Sequence, residues 1–216
     1  MTSTVAGPAS AGPAGTSPVR ANPVRVTARL DDPLSRWLWL VKWLLVVPHL
    51  IVLTFLWIAF GVLSIVAFFA ILVTGHYPRT IFEFNLGVLR WTWRTIYYCY
   101  GALGTDRYPP FTLGPAPDYP ATLDIAYPQH LTRGLVLVKW LLALPHYVII
   151  AFFVGGGGYA AYTAGTSGSW TSGGLIGLLV LIAGITLLVT GRYPRGVFDL
   201  LLGMNRWVLR VAAYTA

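Results

Sequence analysis

LVKWLLVVPHLIVLTFLW, from Leu40 to Trp57, returns as LVLVKWLLALPHYVIIAFFV from Leu135 to Val154. ILVTGHYPRTIFEF, from Ile71 to Phe84, returns as LLVTGRYPRGVFDL from Leu187 to Leu200. The first pair is offset by 97 residues and the second by 116, so the second copy carries 19 extra residues opposite the junction of Trp57 and Ile58. The insert, YAAYTAGTSGSW, is flanked by Gly155–Gly158 and by Gly173 and Gly174. A Gly/Ser-rich stretch of this kind breaks helices. The repeat therefore predicts a turn inside each copy, making each a helical hairpin.

Of the 216 residues, 56% are hydrophobic and only 10% charged, whereas about a quarter of a soluble chain is charged. The apolar runs reach the length of about 20 residues that crosses a bilayer, so the class expected is an all-α integral membrane protein. Residues 1–22 are rich in Ala, Gly, Pro, Ser and Thr with no apolar stretch, and read as a disordered tail rather than a signal peptide. Thirteen arginines against two lysines suggest a GC-rich bacterial genome. One cysteine, Cys99, rules out an intrachain disulfide and a cysteine-based metal cluster. The net charge of +8 borders the apolar segments, which points to anionic lipid rather than nucleic acid.

Three regions follow: the tail 1–22, a first unit 23–113 and a second unit 114–216. In the first, arms 35–56 and 60–75 are expected around a tight turn between Trp57 and Gly61. In the second, Gly134–Val154 and Gly174–Thr190 are expected around the glycine-rich loop. That gives about four membrane helices, multi-pass, with all fifteen Lys and Arg on one side. The positive-inside rule then places both termini in the cytoplasm. Each hairpin ends in Tyr-Pro-Arg (77–79 and 193–195), and a helix is expected over 80–101 and 196–214, its start marked by the proline. Glu83, Gly87, Arg90 and Arg94 fall on one face of the first, and Asp199, Gly203, Arg206 and Arg210 repeat the stripe in the second. With Trp91, Trp93, Tyr97 and Tyr98 beside it, this pattern reads as an interfacial amphipathic helix. Val24, Val26, Ala28 and Leu30 alternate with other residues before the first hairpin. Ala121, Leu123, Ile125 and Tyr127 do so before the second. These are two short strands able to pair in a small cytoplasmic sheet. The second unit stops at Ala216, before any counterpart of TDRYPPFTL (105–113), the pattern of an incomplete C-terminal unit.

The strings VKWLLxxPH, TGxYPR, GVLRWTWR and GALGTDRYPPFTL resemble a bacterial membrane family catalogued as domain of unknown function 4389, common in actinobacteria and often present as a tandem pair. The resemblance covers roughly 23–216. It implies a bacterial inner-membrane protein and no catalytic residues.

Among candidate polar sites, Lys42 and Lys139 lie two turns into the first arm of each hairpin, where the lysine stem can snorkel back to the interface. His49 and His146 each follow a proline seven residues after the matched lysine. They would bond a carbonyl freed by the proline kink, bind haem or metal as a bis-histidine pair, or relay protons. In the stripes, paired arginines suit phosphate. The competing reading pairs Glu83 with Arg206 or Arg210, and Asp199 with Arg90 or Arg94, locking the units together. Arg79 and Arg195 at the hairpin exits read as lipid-phosphate anchors. No GxSxG elbow or Walker loop is present. No catalytic residue, metal ligand set or cofactor is assigned.

The function expected is a non-enzymatic membrane module binding anionic headgroups, a membrane partner or a second copy. Its alternatives are a small transporter of inverted three-helix repeats and a bis-histidine haem or metal protein.

Overall fold

A computed structural model describes residues 23–99, 101–128, 133–154 and 174–215. The expected tail and the glycine-rich loop lie outside the described residues. The elements are β1 (Val24–Ala28), α1 (Leu38–Leu45), α2 (Val47–Thr74), α3 (Arg79–Tyr98), β2 (Ala121–Ile125), α4 (Arg133–Val154), α5 (Gly174–Thr190) and α6 (Arg195–Thr215).

The two alternating segments form the strands expected of them, and they pair. β1 and β2 run antiparallel with Val26 opposite Leu123. Val26, Ala121 and Leu123 are buried on one face, while Thr27 and Thr122 bond through their hydroxyls at 2.5 Å. This is the period of two that a half-buried sheet requires.

The first hairpin does not form. α2 runs unbroken from Val47 to Thr74, straight through Trp57–Gly61, and with α1 makes a nearly continuous helix of 37 residues. Between His49 and Thr74 there is no proline and a single glycine, Gly61, which costs about 1 kcal/mol relative to alanine. A tight turn there would leave several backbone groups of both helix ends unpaired. The position opposite the glycine-rich insert is thus not a turn in the first unit. The one interruption falls at Val46, just before Pro48, whose missing N–H leaves a carbonyl of the preceding turn without its helical donor. By length and composition, Leu38–Thr74 is the one described helix able to cross a membrane. Leu142–Val154 and Gly174–Thr190 are shorter apolar helices, so four membrane helices are not found among the described residues.

α2 and α5 end alike. Gly75 (φ 77°) and Gly191 (φ 70°) take the left-handed conformation that closes a helix and needs glycine. Tyr-Pro-Arg then starts α3 and α6 one residue before the expected 80 and 196.

α3 lies between a polar layer and an apolar one. One side meets the linker and β2; the other meets α2. α6 takes the same place in the second unit, between β1 and the pair α4 and α5. The main core joins Val26 and Leu123 of the sheet to Val88, Trp93 and Tyr97 of α3 and to Leu201 and Leu209 of α6.

Candidate functional site: the linker cradle and the arginine stripes

The linker segment TDRYPPFTL wraps the α1–α2 break. Lys42 does not snorkel outward. Its ammonium is buried, 2.8 Å from Asp106, donates to the Thr105 carbonyl at 2.7 Å and sits over the Tyr98 ring. Asp106 also accepts from the Ser35 amide at 2.6 Å. Thr105 donates to Asp31 at 2.6 Å, and Asp31 lies 3.5 Å from Arg107. The Tyr108 hydroxyl donates to the Leu45 carbonyl at 3.0 Å, satisfying backbone at the helix break.

His49 is fully buried, and it does not bond a proline-freed carbonyl. The Trp91 indole donates to its Nδ1 at 2.9 Å. Phe111 stacks on the imidazole with ring centres 4.0 Å apart, and Tyr108 tilts against it at 4.8 Å. An indole only donates, so Nδ1 accepts and the ring proton resides on Nε2, which has no partner. In the second unit His146 is exposed. It lies 3.3 Å from the Leu142 carbonyl and meets Trp207 edge-on at 6.2 Å, as His49 meets Trp91 at 5.9 Å. The side chain of Lys139 falls outside the described residues. Among the described residues, no three His, Cys, Asp or Glu side chains converge as a metal site.

The stripes divide into tied and exposed arginines. Arg90 donates through Nε to the Leu123 carbonyl at 3.0 Å and pairs with Asp124 at 2.6 Å. Arg94 is buried and donates to the carbonyls of Thr112 and Gly114. Burial lowers its pKa, Tyr119 opposes this, and neighbouring Arg90 lowers it further. Arg206 donates through Nε to the Val26 carbonyl at 3.2 Å. Gly87 makes room for the linker rather than for a headgroup: a Cβ there would meet Leu113 Cβ at 2.8 Å.

The expected cross-unit pairs are not formed. Among the described residues no ion pair joins Glu83 to Arg206 or Arg210, or Asp199 to Arg90 or Arg94. The strand carboxylate Asp124 reaches Arg90 instead, because β2 packs directly on α3. Glu83, Asp199 and Arg210 are exposed. Arg79 is exposed beside the Tyr127 ring, and Arg195 is exposed 3.8 Å from Asp32. A groove of about 620 Å³ opens beside Arg79, Glu83, Arg90 and Tyr127.

Behind the stripe, Cys99 and a set of tyrosines are sealed in. Burial pushes the Cys99 thiol up to about 12, with Lys42 pulling the other way. Burial, then Asp106, pushes Tyr98 up to about 12, and burial raises Tyr97, Tyr119 and Tyr193 as well.

The residues missed from sequence are those that hold Lys42 and His49: Asp106, Tyr108, Phe111 and Trp91. Their signal was present, since all lie in GVLRWTWR or TDRYPPFTL, the strings that carry the family resemblance.

Residues 36–112 match the model of the family described as Domain of unknown function (DUF4389). The match covers the long helix, α3 and the linker cradle, and so includes Lys42, Tyr98, Thr105, Asp106 and Arg107 but not Asp31 or Ser35. No curated protein and no solved structure matches the chain.

Proposed function

We propose that this chain is a non-enzymatic membrane module that holds anionic lipid headgroups at the cytoplasmic face of a bacterial inner membrane, with both units of the same family and both termini on that side. The observation that carries it is the division of the arginines. Arg90, Arg94 and Arg206 are committed to carbonyls, whereas Arg79, Arg195 and Arg210 are exposed on or next to the two amphipathic helices. Exposed guanidinium groups bordering long apolar segments fit phosphate oxygens. The headgroup role therefore moves from the whole stripe to these three. Arg79 has the most defined setting, a groove it shares with Tyr127.

The transporter alternative needs α3 and α6 to span. Both carry arginines inside the helix, which works against insertion. The haem alternative gains nothing from a His49 enclosed by Trp91, Tyr108 and Phe111.

The test is flotation with vesicles of phosphatidylcholine, with and without phosphatidylglycerol. The expected result is that R79Q/R195Q/R210Q loses several-fold in binding to the anionic vesicles and little to the neutral ones. Equal binding by parent and variant would remove the headgroup reading.

A further inference from the structure

We infer that the long helix α1–α2 does not cross the bilayer but lies along it, embedded sideways in one leaflet. This deepens the membrane reading above and rests on it.

The first ground is length. Thirty-seven residues at 1.5 Å each make about 55 Å, against a hydrocarbon core of about 30 Å. Even α2 alone, 28 residues and about 42 Å beyond the break at Val46, would have to tilt past the roughly 40° that bounds observed spans.

The second ground is what runs beside it. α3 packs antiparallel along α2, and its C-terminal end reaches α1 at Lys42. Tyr98 covers Lys42, Trp91 bonds His49, Trp57 donates to Thr92 at 3.2 Å and Asn85 donates to Ser64 at 3.2 Å. Tyr77, two residues before α3, packs with Ala67 and Ile71. The far side of α3 carries the linker and the sheet. Trp57 is at the middle of the helix, and Arg90, two residues from its partner Thr92, pairs with Asp124, whose side chain is 69% exposed. A crossing helix would set that carboxylate, the exposed Thr27–Thr122 pair and both edges of a two-stranded sheet at the depth of the acyl chains. Open sheet edges and exposed charges are not tolerated there.

The third ground is the other face. Leu44, Ile51, Phe55, Ile58, Ile65 and Phe69, all more than half exposed, follow the helical period along one stripe. Lys42, Val46, His49, Leu53, Phe60 and Ala67 are buried on the opposite side. One face of the helix therefore packs on α3 and in part on α4, and the exposed apolar stripe is left for lipid. A helix divided lengthwise in this way suits the plane of a leaflet. Arg36 before the helix and Arg79 after it then reach the same interface, which keeps the cations together without any crossing by this helix.

The experiment places single spin labels at L44C, I58C and V73C in the full chain bound to phosphatidylglycerol–phosphatidylcholine vesicles. Collision with oxygen and with a water-soluble nickel chelate then reads depth. Buried Cys99 stays in place and its labelling is measured in the parent. The expected result is three labels at similar shallow depth, within about 10 Å of the headgroups. A label at Ile58 near the bilayer centre, about 15 Å deep, with Leu44 and Val73 near the surfaces would overturn the inference while leaving membrane binding intact. Labels that all remain in water would overturn the membrane reading itself.

Discussion

Val26 and Leu123 face each other across the two-stranded sheet, and in the duplicated sequence each is the other's counterpart. They are separated by 97 residues, the offset that relates the first pair of repeated strings. Arg90 and Arg206, separated by the second offset of 116, bond these same two residues: Arg90 holds the Leu123 carbonyl and Arg206 the Val26 carbonyl. A local twofold axis passes between the strands, and each unit's amphipathic helix clasps the strand of the other.

Breaking either clasp destabilises the whole. R206M and R90M should each cost about 1.5–3 kcal/mol, the range for hydrogen bonds to charged groups. The Arg90 change should lie at the upper end because it also strips Asp124 of its partner. Thermal or denaturant unfolding in detergent, followed by circular dichroism, checks this; a variant with the parent's midpoint would refute the clasp.

Lys42 and Asp106 form a second test. D106N leaves a buried ammonium without its counter-charge and should cost about 3–5 kcal/mol. K42M/D106L, which removes both charges, should recover much of that loss. A double mutant less stable than D106N would mean that the pair is not a unit.

The matched glycines should respond oppositely to alanine. At Gly87 the new Cβ meets Leu113 at 2.8 Å and displaces the linker, an overpacking that costs about 1–3 kcal/mol. At Gly203 nothing lies within 4 Å, so G203A should gain up to about 1 kcal/mol of helix propensity. Side-by-side melting curves decide it.

High pH should unfold this protein early. The folded pKa of Cys99 and Tyr98 is raised to about 12, and that of Tyr97, Tyr119 and Tyr193 is raised too. Each neutral group favours the folded state, so its contribution is complete below the unfolded pKa, about 8.5 for cysteine and 10 for tyrosine. It declines as pH rises toward the folded value, by about 1.4 kcal/mol per pH unit per group. Stability should therefore fall from about pH 9 and steeply above 10, with tyrosinate absorbance at 295 nm appearing together with loss of helix rather than ahead of it. Alkylation of Cys99 at pH 8 should likewise wait for unfolding.

The sheet and both amphipathic helices were legible in the sequence because their signals are local: alternation at Val24–Leu30 and Ala121–Tyr127, a polar stripe from Glu83 to Arg94, and prolines that start helices. The continuity of α2 was not. An insertion in one copy shows where a chain tolerates interruption, not where its partner copy turns. For the same reason two hairpins were expected where one long helix and a packed pair, α4 and α5, are found. The roles of Arg90 and Arg94 were hidden for a different cause. Which carbonyls they meet depends on the course of the linker 101–120, an irregular stretch with no periodicity to read. Lys42 was equally opaque, since the acid that keeps it buried lies 64 residues away in that same linker.

The exchanged clasp also bears on how such a molecule could arise. A polypeptide with a single unit would have a helix arginine facing no carbonyl and a lone strand with nothing to pair. It could complete itself only by meeting a second molecule, and its folding would depend on concentration. Joining two units in one chain turns that encounter into an intramolecular step, with an effective concentration fixed by the linker. Cutting the chain between Gly114 and Pro120 should therefore turn a first-order folding reaction into a second-order one.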